Sequence, residues 1–395
     1  MRSPLYPIDR KRVIVTVISD LVTDYRVHKT CQTLYENGYQ VLLIGTQRRG
    51  GLALKERDYH TVRLRMLFKG SLFFYLEFNL RLFFRILPLQ ADIYLGNDLD
   101  VMPATLMAAR LKRKPIVYDS HEYFLGMAGM ELKPLRRSVW KFIEARVFYR
   151  VKYMYTVSES IRNQYYREYH QEMAVVRNLP LLHAETPVLT PEVEAWIEKQ
   201  DRKIPEGKKL LILQGAGINE SRGAEELVLA MRFLDPSEFH LLIIGGGDVF
   251  TTLHKMVGQY GLDEKITLIS KVPFAVLSHF TRKALLGFSI DKASIPNHQY
   301  SLPNKLFEYL FAAVPVLASR LIEQERIIDQ YDVGSFLEDH QPEHIAMKIK
   351  EIFADQGRLN RWKQNTSRVR EELNWENESK IVLNIFKQVE KDSVN

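Results

Sequence analysis

One cysteine, Cys31, stands alone in a chain of 395 residues. That excludes an internal disulfide and a thiolate-ligated metal cluster. No stretch offers the roughly 18 uncharged apolar residues that a membrane-spanning helix needs. Internal repeats and low-complexity tracts are also missing. Residues 1–12 carry charge, but no long apolar region follows them. The run that starts at Val13 is short and ends in Ser19-Asp20, so it reads as a first strand and not as a signal peptide. These absences lead to the expectation of a cytoplasmic protein, with peripheral attachment to the cytosolic face of a membrane left open.

What is present is a folding composition, 46% hydrophobic and 26% charged. The formal charge of +7 and a pI of about 9.1 keep nucleic acid, anionic lipid and phosphorylated small molecules open as partners. A basic surface with no particular partner is equally consistent with them. No motif or interleaved basic–aromatic array marks a nucleic-acid surface.

Apolar runs alternate with helical stretches. Val13–Ile18, Gln40–Gly45, Asp92–Gly96, Pro115–Asp119 and Tyr153–Val157 read as strands, with a helix over Val27–Asn37 that Gly38 stops. Ser158 is placed to cap a helix beginning near Glu159. Composition shifts between Leu179 and Gly207, where prolines at 180, 187, 191 and 205 surround a short helix, Glu192–Gln200. A second series follows: strands at Lys209–Gly215, His240–Gly245, Ile266–Ile269 and Pro315–Ala318, with a helix over Arg222–Phe233. Helices at Glu343–Phe353 and from Arg358 to about Glu390 close the chain. The expected fold class is α/β, two Rossmann-like domains facing a central cleft. The division expected is 1–190 for a first domain, 191–370 for a second, and 371–395 for a terminal helix packing across both. Ligands of such sheets bind at the carboxyl ends of the strands.

Four places can carry chemistry. Gly215-Ala216-Gly217 follows a strand, and a helix is expected to start near Glu220 or Ser221 with Arg222 in its first turn. Small residues allow a ligand to approach the backbone, and a guanidinium fork suits phosphate. Gly245-Gly246-Gly247-Asp248 repeats the pattern, although neither matches the full dinucleotide fingerprint. Lys305 and Glu308 are helical neighbours behind Pro303. A salt bridge explains them, and so does a basic group for a diphosphate beside a carboxylate for ribose hydroxyls. Asp119-Ser120-His121-Glu122 ends a first-domain strand, where His121 can reach a sugar hydroxyl or simply be a satisfied loop histidine. His28 and Lys29 are weaker candidates. Asp98-Leu99-Asp100 has the form of a metal-binding D-x-D, but a third ligand is not evident, and no metal is expected. Asn97 and Asp98 can still line an acceptor site.

The segment from Arg63 to Pro88 reads as a basic amphipathic helix. Phe73, Leu76, Leu80, Phe83 and Leu87 form its apolar stripe, Glu77, Arg81 and Arg85 a polar one, and Arg63, Arg65 and Lys69 precede it. Contact with an anionic membrane surface and packing on the first sheet both fit this pattern.

The chain resembles the retaining glycosyltransferases of family 4, which have the GT-B fold. The resemblance rests on Asp24-Tyr25-Arg26-Val27, Tyr118-Asp119-Ser120-His121-Glu122, Thr156-Val157-Ser158, Arg177-Asn178-Leu179-Pro180 and the block from Pro303 to Pro315. It implies a UDP-, GDP- or similar hexose-type donor in the second domain, with retention and without a required metal. It implies phosphate contacts from Arg222, ribose contacts from Glu308 as the second acid of E-x7-E, and approach of His121 to the donor sugar. The resulting candidates are His121, Arg222, Lys305 and Glu308 for catalysis. For donor binding they are Gly215, Gly217, Arg222, Gly246, Lys305 and Glu308. The implied acceptor is a saccharide or lipid-linked saccharide, as in bacterial surface-polysaccharide assembly. Three positions depart from the family pattern. Tyr300 stands where the first acid of E-x7-E belongs, Ala216 where a second basic residue is common, and Ala313 where glycine is usual. A nucleotide-sugar epimerase and a noncatalytic nucleotide-sugar-binding subunit are the alternatives.

Overall fold

The computed structural model describes residues 10–47, 53–68, 70, 72–127, 129, 130, 133–183 and 189–394. Lys69 and Pro187, both used above, lie outside them, as do residues 1–9. The chain forms two compact units. One holds the described residues up to Asn178 together with those from Asn377 onward, and the other spans Leu179–Glu376.

In the first unit the apolar runs become buried parallel strands joined by helices. The elements are β1 (Arg12–Asp20), α1 (Tyr25–Glu36), β2 (Gln40–Gln47), β3 (His60–Arg65), α2 (Leu72–Ile86), β4 (Ile93–Asn97), α3 (Met102–Leu111), β5 (Ile116–Ser120), α4 (Pro134–Arg150), β6 (Tyr153–Thr156), α5 (Glu159–Tyr169) and β7 (Ala174–Val175). The sheet order is β3-β2-β1-β4-β5-β6-β7. Val13 of β1 lies opposite Val41 of β2 and Ile93 of β4, so the strand order reverses across β1. Caps set two helix starts. The Asp24 carboxylate accepts the Val27 N–H at 3.0 Å, and the Ser158 hydroxyl accepts the Ile161 N–H at 3.3 Å, starting α5 where the sequence predicts.

The second unit begins with α6 (Pro191–Asp201) and repeats the scheme. It continues with β8 (Lys209–Gly215), α7 (Ala224–Ala230), β9 (Phe239–Gly245), α8 (Phe250–Gln259), β10 (Ile266–Ser270), α9 (Phe274–Thr281), β11 (Leu286–Ser289), α10 (Pro296–Tyr300) and α11 (Asn304–Phe311). β12 (Val316–Ser319), α12 (Ile322–Tyr331), β13 (Gly334–Leu337), α13 (Pro342–Ala354) and α14 (Gln356–Glu372) complete it, and α15 (Trp375–Val394) follows. The sheet order is β10-β9-β8-β11-β12-β13, again parallel. The two sheets therefore share the same doubly wound start, with reversal points at β1/β4 and β8/β11.

Three expectations are corrected. The closing helix from Arg358 is two helices, because the Asn374 side chain donates to the Arg370 and Glu371 carbonyls and ends α14. The helix at Arg222 begins only at Ala224, because Ser221 (φ 67°) and Gly223 (φ 75°) take left-handed conformations that a helix cannot contain. The stretch from Arg63 is not all helix. Arg63 and Arg65 belong to β3, and α2 starts at Leu72. α2 also packs inward through Phe78, Leu82 and Ile86, not through the stripe of Phe73, Leu76 and Leu80. Among the described residues no helix is long and apolar enough to cross a membrane.

Candidate active site

Each unit gathers charged side chains at the carboxyl ends of its strands. In the second unit the centre is Asp291, two residues beyond β11 and 1% exposed. Its Oδ1 accepts from Arg222 Nη1 at 3.2 Å and from Lys305 Nζ at 3.3 Å, and Lys305 Nζ lies 3.2 Å from Oδ2. Burial pushes the Asp291 carboxyl up, but the charges of Lys305 and Arg222 outweigh it and hold the group below the usual carboxylate range. Two cations thus share one buried carboxylate, and the trio keeps a positive surplus. Asp291 also resolves the unfavourable placement of a lysine in the first turn of α11, since it supplies the counter-charge that the helix start does not.

Arg222 is aimed by its neighbours. A Cβ on Gly223 would lie 2.5 Å from the Ile290 carbonyl, so this left-handed residue must be glycine for the loop to seat against the end of β11. His298 of α10 has its pKa lowered by burial and by the Arg222 charge, so the ring is neutral at pH 7 and its Nδ1 lies 3.2 Å from the Lys292 carbonyl.

Glu308 does not pair with Lys305. Its Oε2 accepts from the Gln214 amide at 2.5 Å, while Gln214 Oε1 accepts from the Thr281 hydroxyl at 2.7 Å. Those two contacts fix which way the buried Gln214 amide points. The Gln214 N–H donates to the Tyr309 hydroxyl at 2.9 Å, and that hydroxyl donates to the Phe288 carbonyl at 3.2 Å. The carboxylate on α11 is thereby tied to β8 and β11.

The two glycine loops meet each other. The Gly246 N–H donates to the Gly215 carbonyl at 3.3 Å and the Ile218 N–H to the Gly246 carbonyl at 2.8 Å. Gly245 and Gly247 have no room for a side chain, since a Cβ would fall 1.9 Å and 2.1 Å from backbone oxygens. Gly215 and Gly217 meet nothing closer than 3.4 Å, and the stem of Lys271 lies over Gly246. Asp291, Gln214 and Lys271 are absent from the sequence reading. The first two carried a signal, a carboxylate just past a short apolar run and a lone amide inside one.

In the first unit Arg26 and Asp119 form a bidentate pair, at 3.1 and 2.7 Å, with Arg26 5% exposed. His121 lies between two carboxylates, its Nε2 3.1 Å from Asp119 and its Nδ1 3.2 Å from Asp98, and its backbone N–H donates to Asp98 at 2.8 Å. Burial alone would depress its pKa, but Asp98 and Asp119 raise it to about 9. The ring is therefore an imidazolium at neutral pH, with both N–H groups engaged inside the cluster. Asp98 takes a left-handed φ of 65° to make these contacts. Asp100 is buried, and burial followed by the Asp98 charge holds its carboxyl well above the usual range. Among the described residues no three His, Cys, Asp or Glu side chains converge on a metal site. Lys29 reaches Asn178 at 2.9 Å and His28 reaches Tyr59 at 2.7 Å.

Two doubly wound parallel sheets in sequence, each with charge collected at its strand ends, define the GT-B class of glycosyltransferases. Solved structures share this fold. Sucrose-phosphate synthase from Thermosynechococcus elongatus matches with a TM-score of 0.78 at 15% identity, over 97% of this chain and 100% of that one. Anabaena HepE in complex with UDP and glucose matches with a TM-score of 0.73 at 11% identity, over 96% and 100%. WaaG, a glycosyltransferase involved in lipopolysaccharide biosynthesis, matches with a TM-score of 0.67 at 13% identity, over 94% and 99%. No curated protein sequence matches the chain. The model of glycosyl transferases group 1 matches residues 194–369, and that of glycosyltransferase family 4 matches residues 25–179. The chain belongs to this family of glycosyltransferases and is an enzyme of that class.

Proposed function

We propose that the enzyme moves a hexose-type sugar from a UDP- or GDP-sugar to a saccharide or lipid-linked saccharide, with retention of anomeric configuration. The observation that carries the donor is the positive surplus at Asp291, the one buried carboxylate shared by Arg222 and by Lys305, which lies three residues before Glu308 on α11. In this reading Arg222, Lys305 and the N–H groups at the start of α11 receive the diphosphate, and Glu308, held by Gln214, accepts from the ribose hydroxyls. The Gly215–Gly217 and Gly246 backbones flank the phosphates. The fold neighbour HepE, captured with UDP-glucose, agrees with a donor of this kind.

During transfer the bond from the anomeric carbon to the diphosphate oxygen breaks while the acceptor hydroxyl attacks from the same face and passes its proton to the departing phosphate oxygen. Negative charge grows on the departing phosphate and meets cations already in place, which need no reorganisation. This reading needs no divalent ion. His121, an imidazolium with both ring N–H groups engaged by Asp98 and Asp119, holds those carboxylates in place on the acceptor side and does not act as a base. Retention and a place in polysaccharide assembly follow the family resemblance. Reaction at the cytosolic face of a membrane fits a lipid-linked acceptor.

The test is ligand-observed NMR of the protein against UDP-, GDP-, ADP- and CMP-sugars, followed over time. Selective binding of one nucleotide, lost in Arg222→Ala, with slow release of free sugar, is the expected result. Isomerisation of the sugar would instead indicate an epimerase. Binding without turnover in the presence of any acceptor would indicate a noncatalytic subunit.

A further inference from the structure

The outward face of α2 carries Leu72, Phe73, Leu76, Leu80 and Phe84, each more than half exposed, from 51% to 69%. None of them serves the contact with the sheet. Leu67 and Phe68, also exposed, are held to the same helix. The Glu77 carboxylate accepts both of their N–H groups at 3.0 Å and also binds Arg81 at 2.7 Å, and the Phe68 ring lies 5.8 Å from that of Phe73. α4 meets the first turn of α2, with the Trp140 and Tyr75 rings 5.3 Å apart and the Arg136 guanidinium 5.7 Å from the Tyr75 ring centre. It exposes Leu135, Phe142 and Tyr149 among five basic residues, Arg136, Arg137, Lys141, Arg146 and Arg150. Its one acid, Glu144, is buried against the Tyr169 hydroxyl.

We propose that the outer faces of α2 and α4 dock on an anionic lipid bilayer. Monomeric proteins rarely expose contiguous apolar patches of this kind. The leucines and phenylalanines suit the boundary between headgroups and acyl chains, and the basic residues suit the headgroups themselves. The Arg146 guanidinium already lies over the Phe142 ring at 4.7 Å, an apolar stem with a charged tip. Neither acid on the two helices opposes an anionic surface, since Glu77 is tied to backbone and Glu144 is buried. A second copy of the chain fits this face poorly, because a two-fold contact would set one basic α4 against another. The helices lie on the membrane and do not span it. The surface gives the lipid-linked acceptor of the proposed reaction a place to be met, and to that extent it rests on that reading.

The test is flotation of the full chain with phosphatidylcholine vesicles, with and without phosphatidylglycerol. The protein floats with the anionic vesicles only, less as salt rises. Leu76→Ser/Leu80→Ser/Phe84→Ser and Arg146→Glu/Arg150→Glu each lower the bound fraction about tenfold or more. All five positions are outside the core, and nucleotide-sugar affinity measured on the same samples stays unchanged. In Leu80→Trp, emission shifts to the blue on anionic vesicles and is quenched by brominated lipid. Absence of flotation, flotation that survives both variants, or an unquenched Leu80→Trp overturns the proposal. So does a dimer that the triple serine variant dissolves without any vesicle binding. Loss of donor binding with flotation intact counts against the proposed reaction and leaves the docking surface standing.

Discussion

The two charged clusters are built from similar parts and end with different electrical balances. Both set a buried aspartate at a strand end against an arginine. In the first unit the arginine is closed in, and the partners match: Arg26 and the His121 imidazolium face Asp119 and Asp98. In the second unit Arg222 is 31% exposed and Lys305 12%, and both lean on the single Asp291. A saturated cluster holds its own shape. A cluster with a cation to spare holds its shape and still attracts an anion. Under the proposed function, this difference makes the second unit the receptor for a phosphorylated ligand, on strand ends whose topology the two units share.

The largest expected effect separates the clusters by stability. Asp119→Asn leaves Arg26 buried without its partner and costs about 3–5 kcal/mol in urea denaturation. Asp291→Asn costs less, about 1–2 kcal/mol, since Arg222 reaches solvent. Equal losses would erase the contrast. Function should respond in the opposite sense. Arg222→Ala lowers kcat/KM for the donor about 100- to 1,000-fold, or about 2.7–4 kcal/mol, and the fold survives. A change under about threefold would remove Arg222 from the reaction.

The third prediction concerns pH. His121 binds its proton more tightly when folded, at about 9, than an unfolded histidine does near 6.5. Its contribution is therefore complete below about pH 6.5 and is lost as pH rises toward 9. Stability should fall by about 1–3 kcal/mol across that window, and His121→Gln should flatten the fall. A profile identical in the two proteins would mean that the imidazolium is not held as described. The smallest effect is a gain. Ala313 sits at φ 59°, a left-handed conformation that disfavours a Cβ. Ala313→Gly should add about 0.5–1 kcal/mol by thermal denaturation. No gain would show that the strain is absorbed elsewhere.

The sequence revealed elements in proportion to how apolar they were. β1, β2, β8 and β9 are long buried runs and were legible as strands. β3, β7 and β13 lie at sheet edges or pair over a few residues, so partial burial leaves no continuous apolar signature. β11 is central, but Gly287 and Ser289 dilute its four residues. Gly287 is required because the Tyr309 ring packs where a Cβ would be, at 2.5 Å. At the candidate site, Arg222, Lys305 and Glu308 stand out in the sequence as candidates because they are groups of the kind that phosphate and ribose chemistry uses on loops and helix starts. Asp291 and Gln214 were not, because their task is to hold those groups, and that task depends on partners 69 and 94 positions away in sequence. The helix start at Ala224 was misjudged because left-handed Ser221 carries no compositional mark.

The terminal helix decides the order in which the molecule can be finished. From Asn377 onward α15 belongs to the first unit, where Phe386 packs edge-on to Tyr39 at 5.6 Å and Glu378 binds Arg177 at 3.0 Å. A chain emerging from the ribosome in sequence has all of Leu179–Glu376 available before that helix arrives. The unit begun first is completed last, and until then it waits with the surface around Tyr39 and Arg177 uncovered.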